Sequence, residues 1–188
     1  MKDKKIIIVH GYTASPSDNW FQWLKESLES LGATVNIPLM PDSHSPDPKK
    51  WQQHLIDAEI KIDKNTIFIG HSLGCITVLK FLTEQAPKGA TIGGYILVSG
   101  FDHSLESLPE LHAHVQEPLD YDKLIEISDK RISVISSNDW VVNPQASKDL
   151  ANALQTQILI VNDAGHFLDR EGYTEFPALR ELIKSTFL

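Results

Sequence analysis

The sequence predicts a doubly wound α/β fold built on a parallel sheet. Six short apolar runs recur along the 188 residues, at 6–9, 34–37, 66–70, 95–99, 132–136 and 158–161. They are near-continuous rather than alternating, the pattern of strands buried on both faces. Segments with helical spacing of apolar residues lie between them, and strands that alternate with helices fold into a parallel sheet through right-handed crossovers.

Each helix has its own signals. Ser17 or Asp18 is placed to cap a first helix through Phe21, Leu24, Leu28 and Leu31, stopped by Gly32. Asp47-Pro48 pairs a capping carboxylate with a proline in the first turn, opening a helix with Trp51, Leu55, Ala58 and Ile62 on one face. Residues 75–85 carry apolar side chains at helical spacing after the third strand. Asn143-Pro144 repeats the start signal before Leu150 and Leu154, and a last helix near Pro177 holds Leu179, Leu182, Ile183 and Phe187. Residues 101–130 break the rhythm. They contain no clean strand, include Pro109 and Pro118, and are expected to form a small cap over the carboxyl edge of the sheet.

Size and composition narrow the function. The length suits one domain, residues 1–188, with a substantial core. A formal net charge of -8 disfavours nucleic acid and anionic membrane surfaces as partners, since phosphate contacts need clustered Lys and Arg. Cys75 is the only cysteine, so no intramolecular disulfide can form. The apolar run after Lys2, Lys4 and Lys5 is too short for a signal-peptide core, and no segment reaches transmembrane length. A cytoplasmic protein, monomeric or weakly dimeric, is expected. No phosphate-cradling or dinucleotide-binding glycine loop is present. His103, His112 and His114 lack further ligands at suitable spacing, so neither metal nor cofactor is expected.

The chemistry is concentrated in Gly70-His71-Ser72-Leu73-Gly74. This G-x-S-x-G follows a β-branched and aromatic strand and precedes a helix, which is the setting of a nucleophile elbow. A serine on so sharp a turn needs small neighbours, and Gly70 and Gly74 supply them. Serine is a poor nucleophile without a base, and the base needs an orienting acid. His166, in Gly165-His166-Phe167 past the last strand, is the candidate base. Asp139, past the fifth strand, is the candidate acid; Asp102 and Asp163 are its rivals. Two backbone N–H groups must receive the developing charge. Leu73, just after the serine, and Tyr12, in the loop His10-Gly11-Tyr12-Thr13, are the candidates. His10 is read as holding that loop and His71 as a neighbour and not a second base. In a sheet of order 2-1-3-4-5-6, the first and third strands meet at the switch point where ligands bind. Trp20 and Trp23, on the first helix, are read as packing under the first loop, with Trp20 or Trp140 as the alternative wall of a substrate pocket, and Cys75 is read as a small buried hydrophobe.

These residues resemble the YdeN-like and retinoblastoma-binding-protein-nine-like small serine hydrolases of the α/β hydrolase superfamily. The likeness spans nearly the whole chain. It includes His10-Gly11-Tyr12, Asn19-Trp20 with Trp23-Leu24, the elbow, Leu97-Val98-Ser99-Gly100-Phe101, Ser136 to Asp139 and Gly165-His166-Phe167. It implies a reduced α/β-hydrolase fold and a triad at Ser72, Asp139 and His166, acting on a small carboxylic ester. A thioesterase or acyltransferase with the same triad, or a protein-binding module on the same scaffold, are the alternatives. The L-x-C-x-E element through which a relative binds a pocket protein stands here as Leu73-Gly74-Cys75-Ile76-Thr77, without the glutamate.

Overall fold

A computed structural model describes all 188 residues. The strands are β1 (Lys5–Val9), β2 (Thr34–Asn36), β3 (Thr66–His71), β4 (Gly94–Val98), β5 (Arg131–Ser136) and β6 (Gln157–Val161). They form one sheet in the order β2-β1-β3-β4-β5-β6, every neighbouring pair parallel. The helices are α1 (Phe21–Glu29), α2 (Pro48–Asp57), α3 (Leu73–Gln85), α4 (Tyr121–Glu126), α5 (Pro144–Ala153) and α6 (Pro177–Phe187).

The period of two along a strand sorts its side chains between two core layers. Ile7 and Val9 of β1 and Phe68 of β3 pack with Trp51, Leu79 and Leu82 on the face of α2 and α3. Ile6 and Ile8, with Ile67 and Ile69, pack with Phe21, Leu24 and Ile183 on the face of α1 and α6. Burial on both faces holds for β1, β3, β4 and β5 but fails at the edges. In β2 only Val35 is buried. In β6, Ile158 and Ile160 are 39% and 45% exposed. No strand lies beyond β6, and α5 packs over β5.

The helix starts carrying proline form as expected. Asp47 accepts the Lys50 N–H at 2.9 Å, and Asn143 accepts the Gln145 N–H at 2.9 Å. The first helix departs from expectation. Trp20 occupies its N-cap position and no side chain caps it; Asp18 instead accepts the Ser15 N–H at 2.7 Å, in the turn before. Helix α1 also ends at Glu29, before Leu31. Helix α2 ends at Asp57, so Ala58 is exposed at its C-cap and Ile62 lies in the next loop; Trp51 and Leu55 alone are its buried residues.

Within residues 101–130, a 3₁₀ turn at Pro109–His114 and the short α4 lie beside α3. Leu105, Leu111, Leu119, Leu124 and Ile127 extend the core there. The Tyr95 hydroxyl donates to the Leu124 carbonyl at 3.2 Å, and His114 Nε2 donates to the Pro46 carbonyl at 3.1 Å. Ser107 and Leu108 are the residues of this segment that reach the cleft beside Ser72.

At the β3–α3 junction Ser72 has φ 53° and ψ −121°, a backbone conformation rare outside glycine. A Cβ on Gly70 would stand 2.6 Å from the Cys75 Cα. One on Gly74 would stand 2.7 Å from the Val9 carbonyl carbon and closer still to its oxygen. Backbone cannot yield as a side chain can, so Gly74→Ala is expected to cost about 3 kcal/mol or more of stability. Urea unfolding of this variant against the parent checks it.

Candidate active site

Ser72 stands at the carboxyl end of β3, its conformation fixed from both sides. Its N–H donates to the Val98 carbonyl at 2.9 Å, and its carbonyl accepts the Cys75 N–H at 2.9 Å. The residue is buried and lines a cavity of about 450 Å³, together with Tyr12, Trp140 and His166. The loop after β1 passes close by: a Cβ on Gly11 would lie 3.1 Å from the Ser72 Cβ and 3.6 Å from its Oγ. In that loop Thr13 N–H donates to the Ser43 carbonyl at 2.8 Å, while the Tyr12 N–H has no protein partner. Leu73 opens α3, where the first N–H groups have no intrahelical acceptor.

His10 holds this loop. Its Nε2 accepts the Met40 N–H at 3.1 Å, which puts the proton on Nδ1, 3.0 Å from the Gly11 carbonyl. Burial lowers its pKa and keeps the ring neutral.

Asp139 and His166 meet across the loops after β5 and β6. His166 Nδ1 lies 2.8 Å from Asp139 Oδ2 and 3.0 Å from Oδ1. A carboxylate only accepts, so the proton sits on Nδ1 and the Nε2 lone pair is left available. Asp139 also accepts the Ser99 hydroxyl at 2.6 Å and the N–H groups of Val141 and Val142, both at 2.9 Å. Burial pushes this carboxyl up, but the hydrogen bond and charge of His166, with Ser99 and the Val142 N–H, hold it below its ordinary value. The Ser72 Oγ itself makes no hydrogen bond to the protein, His166 included; such contacts are often long in ligand-free sites and tighten around substrate.

The other candidates lie apart. Asp102 accepts the Tyr121 hydroxyl at 2.5 Å and pairs with His103 Nδ1 at 3.0 Å. Asp163 shapes its loop at φ 53°, its N–H on Ser137 Oγ at 3.0 Å. His112 is hydrogen-bonded to Ser104, and His114 to Pro46. Trp20 does not wall the cleft. Its ring is fully buried, edge-on to Phe21, His71 and Phe176 with centroids 4.7, 5.9 and 5.6 Å away. It packs there with the apolar face of α1, Phe21, Leu24 and Leu28. Trp140 does line the cleft and is 61% exposed. Cys75 is buried, and burial pushes its thiol far up.

Several supporting residues escape a reading of the sequence. Ser99 is one; its only local signal is a polar residue directly after a buried strand. Asn138 is another: its Oδ1 accepts the Gly165 N–H at 2.8 Å and the Ser136 hydroxyl at 2.9 Å, joining the two loops. His71 is a neighbour that also holds the main chain of His166. Its Nε2 donates to the His166 carbonyl at 2.9 Å, and the two rings lie 5.0 Å apart. Burial first, then the neighbouring His166, lowers its pKa to about 3.

The fold is that of an α/β hydrolase. A family model described as serine hydrolase matches residues 6–185, and the chain belongs to that family. It is 37% identical over 184 residues to YdeN of Bacillus subtilis strain 168, covering 98% of this chain and 96% of that one. The crystal structure of the B. subtilis ydeN gene product matches with a TM-score of 0.94 over 98% of both chains. The serine hydrolase RBBP9 of Rattus norvegicus is 25% identical over 185 residues, 96% of this chain and 94% of that one. No helix is long and apolar enough to cross a membrane.

The neutral His71 has a consequence for stability. Its folded pKa of about 3 lies below the ordinary 6.5, so between these values the unfolded chain binds a proton that the folded chain refuses. Stability therefore falls as pH drops through that window. His71→Gln keeps an N–H donor at the Nε2 position and removes the titration. Its stability should fall less steeply with acid, by about 1.4 kcal/mol per pH unit, the slope of one proton. Urea unfolding of both proteins at several pH values across the window checks it; equal slopes would show that His71 does not stay neutral.

Proposed function

We propose that the protein hydrolyses small carboxylic esters through an acyl-enzyme, with Ser72 as nucleophile, His166 as general base and then acid, and Asp139 as orienting carboxylate. The observation that carries this is the short Asp139–His166 contact, with His166 lining the same cavity as a serine held on a strained elbow. Ser72 Oγ attacks the ester carbonyl as its proton passes to His166 Nε2, and Asp139 stabilises the imidazolium that results. The N–H groups of Tyr12 and Leu73 receive the charge on the carbonyl oxygen. As the tetrahedral adduct collapses, the alcohol leaves with the proton from His166. Water, deprotonated by the same nitrogen, then attacks the acyl-serine and releases the acid. The balance closes on protein groups and water alone.

A cavity of about 450 Å³, with Leu108, Trp140 and Leu168 among its apolar residues, suits a compact acyl group. Docking of a protein partner through the segment from Leu73 to Thr77 is disfavoured, because every residue of that segment is buried in α3.

A fluorophosphonate should add one mass label to the parent protein at Ser72 and none to Ser72→Ala. An unlabelled parent overturns the proposal. Asp139→Asn should keep KM for p-nitrophenyl acetate near the parent value and lower kcat by about 10³–10⁴, because the amide favours the wrong imidazole tautomer. Comparing acetyl esters with acetyl thioesters measures the leaving-group preference, and faster turnover of the thioester would favour the thioesterase reading.

A further inference from the structure

Glu171, in the loop after β6, divides its carboxylate between two neighbours. Oε2 accepts the His166 N–H at 2.8 Å and the Leu168 N–H at 3.0 Å. Oε1 accepts the indole N–H of Trp140 at 2.5 Å. Gly165 makes room for it: with φ +57°, a Cβ there would run into the Glu171 carboxylate. The space taken by Glu171 thus favours glycine just before the base, at a φ that a side chain adopts only at a cost.

Trp140 follows the acid directly in sequence and is gripped from two sides. Glu171 holds its N–H, and the Arg170 guanidinium lies 5.4 Å from its ring centre. With Ser107 and Val141, the indole lines both the cavity of Ser72 and a second cavity of about 600 Å³ on the side of Glu106 and Asn143. It is the largest side chain that the two share. A wall that is 61% exposed needs an external hold to keep one position.

We propose that Glu171 is a two-armed positioning residue: one carboxylate oxygen sets the backbone that presents His166, and the other sets the Trp140 indole as the wall of the cleft. The inference rests on the assignment of Ser72, Asp139 and His166 as the triad. It ties placement of the base and width of the acyl site to one side chain. Its chemistry is also separable. A carboxylate offers two accepting oxygens, a carboxamide one. In Glu171→Gln the oxygen can stay on the His166 and Leu168 N–H groups, and the amide nitrogen then faces the Trp140 N–H, donor against donor. Trp140→Phe breaks the same arm from the other end. Glu171→Ala breaks both.

The test is kinetics with p-nitrophenyl acetate and p-nitrophenyl butyrate, each rate referred to sites titrated with fluorophosphonate so that only folded enzyme counts. Glu171→Gln and Trp140→Phe should each raise KM by roughly tenfold, the loss of one charge-assisted hydrogen bond, and leave kcat near the parent value. The double variant should be no worse than either single one. Glu171→Ala should also lower kcat, by roughly tenfold to a hundredfold, through a displaced base. Parental kcat per titrated site in Glu171→Ala, or additive KM effects in the double variant, overturns the role of Glu171 while leaving the triad standing. A parent enzyme that takes up no fluorophosphonate overturns both.

Discussion

The backbone of Gly74 sits against the carbonyl of Val9 with no room for even one carbon atom between them. This contact brings the first turn of α3 onto the end of β1. It sets the loop of Gly11 and Tyr12 beside Ser72. The other parts of the site are built around that approach. Gly70 serves the same packing on the strand side, where a side chain would meet the Cys75 backbone at 2.6 Å. The two glycines of the elbow are therefore packing requirements, each with its own obstacle.

Around this point the fold buries several ionisable groups, His10, His71, Asp139 and His166. Asp139 is a buried carboxylate, and an unpaired one would be strongly destabilising. It is tolerated because His166, Ser99 and two backbone N–H groups meet its oxygens. His71 and His10 solve the opposite problem by staying neutral, each donating one proton to a carbonyl. Each solution also fixes a geometry. Asp139 and His71 grip the His166 ring and main chain respectively, while His10 grips the Gly11 carbonyl. The orientation of the imidazole is thus set by interactions that stability already requires.

Much of this was legible in the sequence because it is local. Six apolar runs give six strands, since a buried parallel strand has to be apolar along its length. Asp47-Pro48 and Asn143-Pro144 start helices because cap and proline act within one turn. The elbow reads clearly because strand, glycines, serine and helix are contiguous. The order of the strands then carries Asp139 and His166 to the same edge. What was not legible depends on distance in space. Whether Ile158 and Ile160 are covered depends on where α5 settles. Trp20 could not be separated from Trp140 by type or spacing; one faces Phe21 and Phe176 in the core, the other a cleft. Ser99, Asn138 in its bond to Gly165 and Glu171 in its hold on Trp140 work through partners on other loops, up to 40 residues away in the case of Ser99 and Asp139. No local pattern marks such a residue.

Four of the residues with positive φ stand at the carboxyl edge of the sheet and share one arrangement. Thr13 after β1, Ser72 after β3, Ser99 after β4 and Asp163 after β6 all have φ between 51° and 60°. In each the N–H is tied to another part of the chain: Thr13 to the Ser43 carbonyl at 2.8 Å, Ser72 to Val98 at 2.9 Å, Ser99 to Val134 at 3.0 Å, and Asp163 to the Ser137 hydroxyl at 3.0 Å. For Ser72 and Ser99 the acceptor is the adjacent strand, so the bond is one more rung of the ladder. Strain of about 1–3 kcal/mol per residue persists only where the surroundings over-determine the conformation. At Ser72 and Ser99 the parallel ladder supplies that constraint, at the point where the chain leaves the sheet and turns sharply. The direction in which Ser72 projects is thereby coupled to the register of β3 against β4, and that of Ser99 to the register of β4 against β5. The core strands do more than support the site from below, because their last hydrogen bonds are part of its geometry.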